Sequence, residues 1–288
     1  MLDRIYVEIG NVCNLSCSFC PSTTRTPRQM TAAEFKTVCQ RIRGYTRTVY
    51  FHVMGEPLCH PLLGRFLDIA SAHELRVCIT TNGTLLDECK DVLLSRAHVL
   101  HKISISLHCI EGNGQSEELV NYLDLCLSFA REAASAGVYT VLRLWNMDSE
   151  AGEGRNEENA YIHQRLHEAF PTEWVKRWSG FRVADRIFLE YAGVFTWPSE
   201  STAKQRERGF CHGMLDQLAI LCDGTVVPCC LDNNGDIALG NIFFDELDAI
   251  LQSDRALHLK EGLEKGILTE ALCRSCTYAH RFHKERKS

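Results

Sequence analysis

Over its first two-thirds the chain alternates strand-length runs of β-branched and aromatic residues with stretches of helical period, and this alternation sets the fold class. Arg4–Ile9 reads as a first strand. Thr31, with Glu34 three residues on, opens a helix to about Arg43. Thr48–Met54 reads as a second strand, Pro61–His73 as a helix, and Leu75–Thr80 as a third strand ending in the turn Asn82-Gly83. Leu85–Arg96 (helix), Lys102–Leu107 (strand), Ser116–Ala136 (helix, stopped by Gly137) and Val138–Leu144 (strand) continue the series. The acidic stretch Met147–Asn159 reads as a loop before a helix to about Phe170, and Arg186–Tyr191 as a sixth strand. Six βα units in series predict parallel strands with outer helices, as a barrel or as an open doubly wound sheet.

After Tyr191 the pattern changes. Gln217–Leu221, the turn Asp223-Gly224 and Thr225–Val227 predict a β-hairpin, and a helix follows near Asp245–Gln252. The Pro- and Ser-containing segment Thr196–Gln205 is the expected boundary, dividing the chain into 1–195 and 196–288.

The composition is that of an ordinary globular protein, 45% hydrophobic and 24% charged. A net charge of −6 offers no footprint for nucleic acid or an anionic membrane, and the basic run His280–Lys287 reads as a solvated tail. No signal peptide and no bilayer-length apolar run is present, so a cytoplasmic location is expected. In a reducing compartment, 15 cysteines at partly clustered spacings point to metal or redox chemistry.

Cys13, Cys17 and Cys20 stand at the spacing C-x3-C-x2-C directly after the first strand. Three thiolates on one loop can ligate three irons of a cubane and leave the fourth open, whereas a structural zinc site wants four closed ligands. The motif resembles the signature of the radical S-adenosylmethionine (SAM) superfamily. That resemblance implies a [4Fe–4S] cluster on these cysteines, SAM at the open iron, and Phe19 near the adenine. Met54-Gly55-Glu56-Pro57 resembles the family's Gly-Gly-Glu motif, with Met54 in place of the first glycine. It implies that Gly55 and Glu56 receive the amino group of SAM, an ammonium that needs acceptors. Thr80-Thr81-Asn82-Gly83 is also similar to the family, so Asn82 joins the set. Ser104 and Ser106, on one face of the fourth strand, fall where the family often binds the ribose and carboxylate, with His108 just beyond. Arg143 is the expected carboxylate partner. The resemblance covers Arg4 to Tyr191 and implies an α/β fold: a partial (β/α)6 TIM-like barrel with its site at the C-terminal strand ends, followed by a small β-hairpin/helix cluster-binding domain.

Cys211, Gly224, Cys229 and the closing Cys273-Arg-Ser-Cys276, with Leu239-Gly240-Asn241-Ile242 between them, are similar to the SPASM/twitch extension of many radical SAM enzymes. No cysteine follows Cys276, which points to the shorter twitch type with one auxiliary [4Fe–4S] cluster on Cys211, Cys229, Cys273 and Cys276. Four protein ligands would make it an electron relay. A four-cysteine zinc ribbon also suits the spacing, and Cys222 or Cys230 could replace a neighbour. Cys39, Cys59, Cys78, Cys89, Cys109 and Cys126 read as packing residues, with Cys59 and Cys109 able to approach the pocket.

The family resemblance implies that a low-potential donor such as flavodoxin or ferredoxin reduces the first cluster. Reductive cleavage of SAM then yields a 5′-deoxyadenosyl radical that abstracts hydrogen from a substrate. Modification of a peptide or protein side chain is the first expectation. Oxidation of a small alcohol, sugar or cyclitol is the alternative, brought close because the first strand starts almost at Met1 and leaves no recognition region before Cys13. A non-catalytic iron–sulfur or zinc protein is the third.

Overall fold

The computed structural model describes residues 1–112, 118–147, 157–193, 195, 197–199 and 206–282. Most of the expected loop Met147–Asn159, most of the expected boundary segment, the start of the helix expected from Ser116 and the end of the basic run lie outside these residues.

Strand β1 (Arg4–Val7) leads through the cysteine loop to helix α1 (Ala32–Arg41). There follow β2 (Thr48–Phe51), α2 (Leu63–Ala72), β3 (Arg76–Thr81), α3 (Leu86–Leu94), β4 (Leu100–Ser106), a single turn α4 (Cys109–Gly112), α5 (Leu119–Ser135), β5 (Tyr139–Met147) and α6 (Glu157–Ala169). An antiparallel ribbon, β6 (Val175–Arg177) and β7 (Gly180–Ala184), precedes β8 (Ile187–Gly193). The C-terminal region holds β9 (Gln217–Ile220), β10 (Thr225–Val227), β11 (Gly240–Asn241), α7 (Leu247–Leu251), α8 (Asp254–Glu264) and α9 (Ala271–Ser275). Among the described residues eleven strands form one sheet in the order β11-β10-β9-β1-β2-β3-β4-β5-β8-β7-β6, whose two edge strands are not paired to each other. Within it β1, β2, β3, β4, β5 and β8 run parallel, giving the expected partial six-strand barrel.

The period-two pattern explains both faces of this barrel. On the outer face, Ile5 stands beside Val49, Val49 beside Val77, Ile105 beside Leu142 and Leu142 beside Leu189. All are buried against the helices. Phe35 of α1 stacks on Phe66 of α2 at 4.5 Å and meets Phe51 of β2 edge-on. Burying each such ring contributes about 1.5–3 kcal/mol. The inner face has the opposite character: Tyr6 stands beside Tyr50, Cys78 beside Lys102, Thr80 beside Ser104, Ser106 beside Arg143, and Arg143 beside Glu190.

The expected cap at Thr31 forms as a full capping box, Thr31 Oγ1 accepting from Glu34 N–H and Glu34 Oε2 from Thr31 N–H. The Asp223-Gly224 hairpin forms with Gly224 at φ +88°, where a Cβ would strike Asn241 and Phe243. Several features differ from expectation, among them the helices α8 and α9, which follow α7 where none was expected, and a first strand that ends at Val7. The second strand stops at Phe51, because the N–H of Met54 turns to the carboxylate of Glu8. The β6–β7 ribbon was not foreseen, since β6 is exposed at every residue and carries no apolar alternation. The hairpin strand β9 lies parallel to β1, so the C-terminal region extends the barrel sheet directly.

Candidate active site

At the C-terminal ends of β1 to β4 the chain builds a cleft lined by Cys13, Cys17, Cys20, Phe19, Gly55, Glu56, Asn82, Ser106 and Cys109. The cysteines ride the loop after β1, with Cys13 and Cys20 exposed and Cys17 half-buried. The loop is tied down on both sides. Glu56 N–H donates to Val12 O (2.9 Å), and Asn82 Nδ2 donates to Asn14 Oδ1 (2.9 Å). Burial raises the Cys13 and Cys20 thiols above the ordinary cysteine range, opposed by N–H donors: Leu15 N–H to Cys13 Sγ at 3.4 Å, and Ser22 N–H to Cys20. Asn82 Nδ2 also reaches Cys13 Sγ at 3.9 Å. Sulfurs that need a positive partner to ionise, with amide hydrogens aimed at them, suit iron–sulfur ligation.

Gly55 has φ +76°, and a Cβ there would meet the carbonyl oxygens of Gly10 and, at 2.9 Å, Val12. Only glycine allows the β2 loop to lie against the cysteine loop. Glu56 is buried, its carboxylate accepting from Asn82 N–H (2.7 Å) and Leu58 N–H (3.0 Å). Burial outweighs these bonds and raises the carboxyl to about 7. Phe19 packs on His108 at 5.0 Å. The Cys17 and Cys109 thiols are hydrogen-bonded, and that bond, followed by burial, holds the Cys109 thiol well above the usual range.

Phe19, His52, Thr80, Ser106 and Trp197 are shared with a second cavity of about 330 Å³, the barrel lumen. Ser104 and Arg143 line this cavity and not the cysteine cleft, so these two expected residues stand on the lumen side of Ser106. Sequence reasoning passed over most of the lumen: Tyr6, Tyr50, His52, Lys102, Trp145 and Glu190. The available signal was the alternate polar positions of each barrel strand.

A third cavity gathers Cys211, Cys229, Cys273 and Cys276, and Cys230 beside them. All four thiols are raised, with burial as the first cause. They also meet N–H donors, from Gly213 to Cys211 (3.4 Å), Leu231 to Cys229, and Ala279 and Tyr278 to Cys276. This donor set fits an iron–sulfur cluster as well. Cys222 stands elsewhere, its N–H donating to Glu8 and its sulfur accepting from Arg25. Cys230, hydrogen-bonded by the Tyr6 hydroxyl, faces both this cavity and the lumen. Arg4, Tyr6, Leu231 and Tyr278 complete that shared wall. Among the described residues no three His, Cys, Asp or Glu side chains converge as the ligands of a single metal ion.

A partial parallel barrel with a three-thiol cleft at its C-terminal end, and a four-thiol cavity beyond its lumen, defines a barrel enzyme built around thiolate-held clusters. Residues 7–122 match the family model of the Radical SAM superfamily, and residues 211–277 that of the SPASM iron–sulfur cluster-binding domain. The chain is thus a radical SAM enzyme with a SPASM domain, a family that works with a [4Fe–4S] cluster, SAM and auxiliary iron–sulfur binding. It is 32% identical to GTP 3′,8-cyclase of Chlorobaculum tepidum over 116 residues, 38% of this chain and about a third (34%) of the cyclase. It is 21% identical to the SAM-dependent 2-deoxy-scyllo-inosamine dehydrogenase of Niallia circulans, over 96% of this chain and 93% of that protein. Its fold resembles SuiB of Streptococcus suis bound to SAM, with a TM-score of 0.59 at 14% identity over 98% of this chain and 74% of SuiB. SuiB has also been solved bound to its precursor peptide SuiA. No helix among the described residues is long and apolar enough to cross a membrane.

Proposed function

We propose that this enzyme oxidises a small polar molecule held in the barrel lumen, by abstraction of a hydrogen atom from a carbon bearing a hydroxyl. The lumen carries this reading: a cavity lined largely from the barrel strands, in which charged and hydroxyl side chains stand among aromatic ones, adjoining the three-thiol cleft on one side and the four-thiol cavity on the other. The near full-length likeness to a cyclitol-amine dehydrogenase supports it. In this proposal Cys13, Cys17 and Cys20 hold the SAM-cleaving cluster, and Cys211, Cys229, Cys273 and Cys276 hold one auxiliary cluster. When bound, the first cluster and SAM would supply hydrogen-atom abstraction, and the auxiliary cluster would take up the electron left on the substrate carbon.

The chain's own residues bind, orient and exclude water. Gly55 and Glu56 receive the SAM ammonium, while Asn82, Ser104 and Ser106 supply polar contacts along its length. Phe19 and Trp197 stand between cleft and lumen and keep solvent from the reacting carbon. Glu190, the carboxylate lining the lumen, accepts the hydroxyl proton at its side-chain oxygen. Arg143, facing the lumen, is available to a carboxylate of SAM or of substrate. Residues 1–195 and 196–288 form the two functional divisions, a donor such as flavodoxin or ferredoxin supplies electrons, and the enzyme works in the cytoplasm. The likeness to SuiB, whose structure with SuiA is known, keeps modification of a peptide as the second reading.

The test is anaerobic reconstitution with iron and sulfide, then dithionite and SAM, with panels of small polyols and of peptides. Small hydroxylated compounds should raise 5′-deoxyadenosine above the uncoupled level. Stimulation by peptides alone would sink the small-molecule reading. Zinc as the sole bound metal with no 5′-deoxyadenosine would sink the assignment of Cys13, Cys17 and Cys20.

A further inference from the structure

The lumen has an unbalanced set of charges. Arg4, Lys102 and Arg143 all line it, against the single carboxylate of Glu190. No ion pair among the described residues engages any of the three cations. Arg143 carries a buried Nε with no hydrogen-bond partner, and its guanidinium lies over the Trp145 ring at 3.5 Å. Lys102 stands over the Tyr50 ring at 5.5 Å, and Arg4 over the same ring at 5.8 Å. Aromatic faces moderate these charges without neutralising them. A cation held away from water with an unused donor is costly unless something fills the site with acceptors.

We propose that the lumen selects a small molecule bearing an anionic group, a carboxylate or a phosphate, held by Lys102 and Arg143. The proposal rests on the reading of the lumen as the substrate cavity. Lys102 and Ser106 lie on the same face of β4, four residues apart, and Ser106 borders the cysteine cleft while Arg143 stands beside it in register. Lys102 and Arg143 thus bracket the level of Ser104, and an anion that meets both leaves the rest of the molecule extending past Ser106, toward the cleft where hydrogen is abstracted. Tyr50 and Trp145 offer ring faces to its carbon skeleton. The field of the same cations is felt at His52, whose imidazole is lowered to about 3 by burial first, then by Arg143 and Lys102. His52 is thus neutral at physiological pH and adds no charge of its own.

The test uses the reconstituted enzyme with SAM bound and follows tryptophan fluorescence, since Trp145 and Trp197 both line the lumen. Four probes are titrated: glucose, glucuronate, glucose 6-phosphate and inorganic phosphate. At least one anion should bind about tenfold or more tightly than glucose, as a charge-assisted contact requires. Glucuronate against glucose 6-phosphate then separates carboxylate from phosphate recognition. Lys102→Gln should erase the preference and Lys102→Arg should retain it, which separates lost charge from a damaged fold. Anions that bind no better than glucose, or a preference that survives both Lys102→Gln and Arg143→Gln, would overturn the proposal. Formation of 5′-deoxyadenosine by the wild type, followed in the same preparation, reports on the parent reading separately. Turnover without anion preference removes only this inference, and anion preference without turnover removes only the parent.

Discussion

The two groups of cysteines are built in opposite ways. Cys13, Cys17 and Cys20 come from eight consecutive residues and stand at the edge of an open cleft, two of them exposed. Cys211, Cys229, Cys273 and Cys276 come from three separated segments and surround a cavity walled by Leu268, Leu272 and Phe282. An open three-thiol loop leaves room for a small molecule at a cluster's fourth iron. Four thiols around one cavity can supply every iron of a cubane with a protein ligand, which is the basis of the proposed electron relay. The barrel lumen lies between them, sharing Phe19 with the first and Cys230 with the second.

This contrast breaks most visibly on single thiols. Cys17→Ala should abolish 5′-deoxyadenosine formation and remove about four irons per chain. Cys273→Ala should remove a similar amount of iron yet leave uncoupled 5′-deoxyadenosine formation, while conversion of substrate collapses. Iron and sulfide analysis with chromatography of 5′-deoxyadenosine checks both. Equal loss of SAM cleavage in the two variants would mean the sites do not divide their work this way.

The two sites also differ in how far the sequence disclosed them. The C-x3-C-x2-C spacing is contiguous, and the apolar alternation that buries Ile5, Val49 and Leu142 is local, so both could be read residue by residue. The four-thiol cavity depends on three separate segments, the last of them more than forty residues beyond Cys229, and only a family resemblance grouped them. By spacing either Cys222 or Cys230 could replace a neighbour, and the fold separates them: Cys222 lies beside Glu8 and Arg25, Cys230 on the wall of the four-thiol cavity. The polar inner face of the barrel was written in the strands as Lys102-Ile103-Ser104-Ile105-Ser106, yet only its last two polar positions drew notice. Arg143 was placed by chemical type, and its register beside Glu190 came only with the fold.

What joins the two regions is a buried carboxylate that no sequence motif singles out. Glu8 accepts from Arg25 Nη2 at 2.6 Å, Met54 N–H at 3.2 Å and Cys222 N–H at 3.0 Å. Arg25, on the segment after the cysteine loop, also donates to Asn233 O at 2.9 Å, and Thr23 Oγ1 donates to Asn234 Oδ1 at 2.8 Å. One residue thus fixes the cysteine loop, the approach to Gly55 and the C-terminal hairpin together. Glu8→Ala leaves Arg25 without its carboxylate partner and the N–H groups of Met54 and Cys222 without their acceptor, which costs about 3–5 kcal/mol. Denaturant unfolding should show this loss, and Arg25→Met combined with Glu8→Ala should recover part of it. A change below about 0.5 kcal/mol in the single variant would show that the hub does not hold the regions together.

The finest distinction concerns protons at the open cleft. Glu56 is raised to about 7 by burial, against the pull of the Asn82 and Leu58 N–H groups. Below that pH its carboxyl is protonated in the unliganded cleft, whereas an ammonium ligand calls for the ionised form. Receiving the ammonium must then release a proton, so SAM affinity should fall with decreasing pH below about 7, by at most about tenfold per unit. Above that value the carboxylate is already ionised and the dependence should flatten. Glu56→Gln cannot titrate and should bind SAM more weakly with no slope across the same range. Calorimetry in two buffers of different ionisation enthalpy reads both the slope and the released proton. If the slope persists in Glu56→Gln, the proton belongs to another group and Glu56 serves only to join the loops after β2 and β3.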